Sequence, residues 1–201
     1  MSSIYLDNAA TTQVRDEVID TMASVLKSNY GNASSTHGFG RSSKSIIESC
    51  RKRIASHFNV LASEIVFTSG GTEADNLVLQ SAVKDLKVTH IVTSKIEHHA
   101  VLHALTSLET EGVEILYVDL DLEGSPDLVH LEKLLTATAT RKLVSLMYVN
   151  NEIGNILSLK KVGDLCKLNN AYFHTDAVQG VGHFPIDLKE ISIPIILCDH
   201  M

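Results

Sequence analysis

Two stretches of the chain combine residue types that could hold an anion or work on a planar ring. Thr68-Ser69-Gly70-Gly71-Thr72-Glu73-Ala74-Asp75-Asn76 reads as a strand end opening into a helix. Its two glycines let the backbone approach an anion closely, the free N–H groups of a helix start would point at it, and Thr72 adds a hydroxyl donor. It has neither the lysine of a P-loop nor the spacing of a dinucleotide fingerprint, and a tight turn with an N-cap fits the same residues. Glu97-His98-His99-Ala100 follows a strand ending near Ser94. A histidine at a strand's carboxyl end can stack on a ring or shuttle a proton, and it can also be a surface or packing residue. Glu97, His98, His99 and His103 invite a metal-binding reading too. Adjacent residues face different sides of a helix, however, and no His-Glu-x-x-His spacing is present, so no metal site is expected.

Two further stretches add acceptors and amides. Tyr172-Phe173-His174-Thr175-Asp176-Ala177-Val178-Gln179-Gly180 ends a buried strand on an aspartate. Such a carboxylate is expensive unless a cation or donors meet it. A protonated pyridine nitrogen would serve, because the carboxylate keeps the ring charged and electron-withdrawing; an N-cap for the next helix is the other reading. Asn150-Asn151-Glu152-Ile153-Gly154-Asn155 offers two side-chain amides that could bond a phenolic oxygen or a carboxylate, or simply form a turn.

The elements that must position these residues follow from periodicity. Strands are expected at Ile65–Thr68, His90–Thr93, Glu114–Val118, Leu143–Val149, Tyr172–Thr175 and Ile195–Cys198. Helices are marked by Leu77 and Val78, by Val101, Leu102, Leu105 and Leu108, and by Leu128, Leu131, Leu134 and Leu135. This alternation predicts an α/β fold, a mostly parallel sheet covered by helices on both faces, with ligands beyond the carboxyl ends of the strands. Before residue 60, Val14, Val18, Met22, Val25 and Leu26 mark one helix and Ile46, Cys50, Ile54 and Phe58 another, with a turn-rich polar loop from Ser28 to Gly38 between them.

Composition narrows the function classes. The 201 residues carry 17 Lys+Arg against 24 Asp+Glu, a formal net charge of −7, which argues against a general nucleic-acid binder. With 44% hydrophobic residues and a mean hydropathy of +0.10, the chain has the composition of a packed domain rather than a disordered one. Its longest strictly apolar run, Ile193 to Cys198, is far short of the roughly 20 residues of a membrane span. The N-terminus lacks a basic, then apolar, leader, so a cytoplasmic protein without membrane attachment is expected. Cys50, Cys166 and Cys198 are odd in number and widely spaced, which predicts reduced, packed thiols.

In this order the four stretches, together with Tyr5-Leu6-Asp7-Asn8-Ala9-Ala10-Thr11-Thr12, Gly31-Asn32-Ala33-Ser34-Ser35-Thr36-His37 and Pro185-Ile186-Asp187-Leu188, resemble the cysteine desulfurases of the class V aminotransferase branch of pyridoxal-phosphate enzymes. The resemblance implies an incomplete large domain of fold type I over residues 13–201, with residues 1–12 a segment that the family assigns to its small domain. It further implies that Gly71 and Thr72 contact the cofactor phosphate and that His98 stacks on the pyridoxal ring and assists proton transfer. Asp176 would pair with the pyridinium nitrogen, Gln179 would bond the phenolic oxygen, and Asn151 would lie near that oxygen and the substrate carboxylate. The activity implied is conversion of L-cysteine to L-alanine, with sulfur left as an enzyme persulfide for iron–sulfur cluster assembly or other sulfur transfer. A sulfur-acceptor or scaffold protein and a homodimer are the implied partners.

The family pattern continues with Ser-x-His-Lys, whose lysine forms the Schiff base; here Asp199 and Met201 stand where the serine and histidine are expected. By the family's interval the lysine would fall just after Met201, and the family's small C-terminal domain with its persulfide cysteine is expected to be missing. A truncated desulfurase, inactive as it stands, is therefore expected. A non-catalytic remnant, another class V lyase or aminotransferase, and a metal-binding module are the alternatives.

Overall fold

The computed structural model describes residues 3–191 and the backbone of Ile195–Leu197. It forms two compact units that divide between Val66 and Phe67. The expectations for Cys198, Asp199 and Met201 lie outside the described residues.

The first unit contains both expected helices, α1 (Asp16–Ser28) and α2 (Gly38–His57), followed by a 3-10 turn at Ala62–Glu64. Acids at Asp16 and Glu17 and a base at Lys27 match the dipole of α1. The polar loop between the helices is held tightly. A Cβ on Gly40 would come within 2.6 Å of the Asn32 carbonyl oxygen and 2.3 Å of that of Ser35, so only glycine fits there. His37 caps α2, its Nδ1 accepting from Gly40 N–H at 3.4 Å.

Two expectations in this part of the chain are corrected. Cys50 is exposed rather than packed, because the stripe it shares with Ile46 and Ile54 is itself only half-buried. Among the described residues the stretch 65–68 is not a strand of the sheet. Ile65 has the extended backbone its β-branched side chain favours (φ −94°, ψ 125°), yet its carbonyl accepts from the Arg51 guanidinium at 2.5 Å, and Val66 is 68% exposed.

In the second unit the helices are α3 (Gly71–Lys84), α4 (His99–Thr110), α5 (Leu128–Thr136) and α6 (Leu159–Leu168). The strands are β1 (His90–Thr93), β2 (Glu114–Tyr117), β3 (Lys142–Ser145), β4 (Tyr172–Asp176) and β5 (Ile195–Leu197). They form one five-stranded sheet in the order β2-β1-β3-β4-β5, every ladder parallel. Of the helices, α6 was not foreseen, although Leu159, Val162, Gly163 and Cys166 give it one buried face at helical spacing.

Both faces of the sheet are covered. Ile91 and Leu143 join a core with Leu79 and Ala82 of α3 and Val101, Leu105 and Leu108 of α4. Their neighbours Val92, Val144 and Phe173 point the other way by the strand pleat, and all three are fully buried. Helices α5 and α6 pack on each other, α5 against β1 and α6 against β4. The chain runs from β1 outward to β2, then returns to β3 on the other side of β1. Neighbouring strands whose connections leave in opposite directions open a crevice at their carboxyl ends, here between β1 and β3.

Candidate active site

The expected site residues lie at this carboxyl edge. Helix α3 starts at Gly71, and Gly70 at its N-cap has no side chain to close it. The N–H groups of Gly71 and Thr72 have no acceptor among the described residues. Gly71 is buried and Thr72 exposed, so the turn presents donors outward. Ser69 is not part of this open set. Glu73 folds back and takes its N–H at 2.6 Å and its hydroxyl at 2.5 Å. The Ser69 hydroxyl and N–H in turn hold the Glu73 carboxyl below its usual range.

Asp176 ends β4 and is 6% exposed. One carboxylate oxygen accepts from Val178 N–H at 3.0 Å. Burial, aided by the charge of Asp75, pushes this carboxyl up, while the Val178 N–H, His174 and His98 oppose the shift. His98 thus lies within electrostatic reach of Asp176. It also caps α4, its Nδ1 accepting from Ala100 N–H at 3.2 Å, which leaves Nε2 as the ring nitrogen for other work.

The amides divide their labour differently from expectation. Asn150 is committed to the protein: its Nδ2 donates to the Ile96 carbonyl at 2.8 Å across the β1–β3 crevice, and its Oδ1 accepts from the N–H groups of Glu152 and Ile153. Asn151 is half-buried, and its Nδ2 donates to the neighbouring Glu152 carboxylate at 2.9 Å. Gln179 is half-buried in the turn after β4. Next to it, Gly180 admits the ring of Tyr148, which a Cβ would meet at 2.2 Å.

Beneath these residues is a buried polar layer drawn from separate stretches of the chain. His174 Nδ1 meets Ser145 Oγ at 2.9 Å, and its Nε2 lies 3.4 Å from Asp75 Oδ1, with both side chains almost fully buried. Glu97, 6% exposed, accepts from Ser94 Oγ at 2.5 Å. Burial pushes Glu97 up to about 8, and the charges of Asp176 and Asp75 add to this against the Ser94 hydroxyl and Met147 N–H. The available signal was alternation: His174 and Asp176, two apart in a strand, share a face. Among the described residues no three His, Cys, Asp or Glu converge as metal ligands. No helix there is long and apolar enough to cross a membrane.

The family model "Aminotransferase class-V" matches residues 4–198. The chain belongs to this family. Within it, the chain is 44% identical over 199 residues to a cysteine desulfurase IscS of Methanosarcina thermophila, covering 96% of this chain and 48% of that protein. Among solved structures, a NifS-like protein superposes with a TM-score of 0.92 at 35% identity, over 98% of this chain and 54% of that one. A structure described as SspA in complex with cysteine gives a TM-score of 0.92 at 29% identity, over 98% of this chain and 57% of that one. The chain spans about half the length of the curated relatives it matches. Its parallel, two-faced sheet is the large-domain fold of class V, fold-type I enzymes, as the motif order predicted.

Proposed function

We propose that this chain carries the pyridoxal-phosphate-holding face of a cysteine desulfurase, which converts L-cysteine to L-alanine and passes the sulfur to an enzyme thiol as a persulfide. The observation that carries the reading is the pairing of two opposite demands on one sheet edge. The start of α3 has donors without acceptors, and Asp176 is a buried acid in need of a cation. A ligand with a phosphate at one end and a protonated ring nitrogen at the other meets both. When bound, pyridoxal phosphate supplies an electron sink for carbanion chemistry on an amino acid.

In this reading Gly71 and Thr72 hold the phosphate with backbone N–H groups and the Thr72 hydroxyl. Asp176 holds the proton on the ring nitrogen, and Gln179 bonds the phenolic oxygen. His98 lies over the ring, with Nε2 available to move a proton, and Asn151 lies near the phenolic oxygen and the substrate carboxylate. The relative solved with cysteine supports cysteine as substrate. The reading extends to a cytoplasmic homodimer that serves a sulfur acceptor or scaffold, with residues 13–201 as the cofactor-binding domain and residues 1–12 as a segment of the small domain.

The test is retention of pyridoxal phosphate through gel filtration, followed by absorbance, with inorganic phosphate as competitor. Wild-type chain is expected to retain the cofactor, Gly71→Val to lose it, and Asp176→Asn to hold it more weakly. Equal retention by all three would remove the assignment. In this chain extended to the length of its relatives, Asp176→Asn should abolish alanine formation from L-cysteine, whereas unchanged turnover would reduce the carboxylate to a cap.

A further inference from the structure

On the sheet face that α3 and α4 cover, the side chains stand in level rows. Ile91, Leu143 and Tyr172 are register partners across β1, β3 and β4, and they belong to the apolar core. Two residues further along each strand, the next row on this face is Thr93, Ser145 and His174, all polar and all fully buried. A histidine shut off from water is costly unless its ring nitrogens find partners. His174 Nδ1 meets Ser145 Oγ, its own register partner, at 2.9 Å. Its Nε2 faces Asp75 Oδ1 of α3 at 3.4 Å, and neither of these two atoms has a hydrogen bond to any other group among the described residues. The contact has a particular height in the fold. Asp75 lies one turn into α3 from Gly71, about 6 Å down the helix axis. Asp176 lies two residues beyond His174, about 6–7 Å along β4. The Asp75–His174 pair therefore sits at nearly the same depth below the Gly71–Thr72 turn on the helix and below the Asp176 carboxylate on the strand.

We propose that His174 is a positioning residue: held by Ser145 on the sheet side and by Asp75 on the helix side, it ties β4 to α3 and fixes the separation between the Gly71–Thr72 turn and Asp176. The inference rests on the reading of this edge as a pyridoxal-phosphate site and adds what sets its span. A rigid ring with a phosphate at one end and a nitrogen at the other has one length. Both ends are engaged together only where the protein holds its two contact points at that length beforehand. Apolar packing of α3 on the sheet is non-directional and leaves that length loosely set, whereas a contact between two named polar atoms is directional. The charges of Asp75 and His174 both reach Asp176, in opposite senses, so the tie and the ring-binding carboxylate form one cluster. With no exposed surface, His174 acts through Asp176 and α3 rather than by touching the cofactor.

Three probes test it by equilibrium binding to the chain: pyridoxal phosphate, an analogue with carbon in place of the ring nitrogen, and inorganic phosphate. Wild type should prefer pyridoxal phosphate to the carbon analogue by about tenfold, because only the nitrogen engages Asp176. His174→Asn, long enough for Ser145 but too short for Asp75, should cut that preference to about twofold or less and leave the affinity for inorganic phosphate unchanged. His174→Gln, whose longer amide spans to Asp75, should restore most of the preference. Asp75→Ala cuts the tie from the helix side with the His174–Ser145 contact in place, so it should repeat the loss, and the test does not hang on one variant folding. Equal weakening of all three probes would mark His174 as merely structural. An unchanged preference in both His174→Asn and Asp75→Ala would show that packing alone sets the span, and either result overturns the proposal. A wild type with no preference for the ring nitrogen would instead overturn the Asp176 assignment, and the tie would fall with it.

Discussion

The two edges of the sheet handle buried polarity in opposite ways. At the amino edge, Lys142 is 2% exposed, and its ammonium donates to the carbonyls of Leu135, Thr138 and Thr140 at 3.0, 2.9 and 3.3 Å, which satisfies all three protons. Around it, Arg141 lies 3.8 Å from the Tyr172 ring centroid and bonds the Asn170 carbonyl, and His90 is shared among Thr89, Thr140 and Glu114. The carboxyl edge and the α3 residues beside it hold Thr93 Oγ1, Glu97 Oε2 and Thr175 Oγ1 buried without a hydrogen-bond partner, and Asp75 Oδ1 and His174 Nε2 buried 3.4 Å apart without a formed hydrogen bond. One fold thus closes one edge and leaves the other in deficit. A deficit of that kind is costly for folding alone, and a bound ligand can make it up.

The largest expected effect tests the cost of the open edge. Because Glu97 is pushed up to about 8 from an ordinary 4.5, the folded chain holds a proton that the unfolded chain has released throughout that window. Stability should therefore fall as pH rises from about 4.5 to about 8. Asp176, also raised, acts with the same sign. Urea midpoints should fall by the equivalent of about 2–4 kcal/mol across that window, and Glu97→Gln should remove most of the slope. A slope unchanged in Glu97→Gln would mean that the deficit at this edge lies elsewhere.

The closed edge should show the reverse. Lys142→Met deletes a satisfied cation and leaves three carbonyls without their donor, which should cost about 2–4 kcal/mol with little dependence on pH near neutrality. Burial lowers the Lys142 ammonium, so the unfolded chain holds this proton more tightly, and the contribution of Lys142 to stability should rise rather than fade as alkaline pH removes it. A Lys142→Met variant as stable as wild type would erase the contrast between the edges.

A smaller effect separates packing from polarity at the open edge. Gly180→Ala places a methyl against the Tyr148 ring, which should cost about 1–3 kcal/mol by overpacking and displace the neighbouring Gln179. Near-neutral stability with altered pyridoxal-phosphate retention would show that the ring yields and the site moves.

Much of this contrast was legible in the sequence, for identifiable reasons. Alternating β-branched runs gave β1 and β4 almost to the residue, since strands buried on both faces have few sequence alternatives. Asp176 was legible because an acid after a buried strand is conspicuous. Cys50 misled because a stripe at helical spacing does not say what covers it. The layer of Asp75, Ser145 and His174 was hidden because α3, β3 and β4 bring it together from separate stretches of chain. The Lys142 cage was hidden for a related reason: its acceptors are backbone carbonyls, which no side-chain pattern announces.

The smallest effect concerns what makes the amino edge firm. His90 Nε2 lies 3.1 Å from Glu114 Oε2, but the Glu114 side chain is 61% exposed, and the pair is charged on both sides only when His90 is protonated. Solvent screens such a pair and its long partner loses side-chain entropy, so Glu114→Gln should cost less than about 1 kcal/mol. The other ring nitrogen of His90 keeps its contacts with Thr89 and Thr140 in that variant, so the ring should stay in place. If the edge owed its firmness to surface charge, raising the salt concentration would lower the urea midpoint of wild type towards that of Glu114→Gln. If it owes it to the buried carbonyl cage, both proteins should respond to salt alike, and only Lys142→Met should fall away. A Glu114→Gln loss comparable to that of Lys142→Met would move the strength of this edge from its interior to its surface.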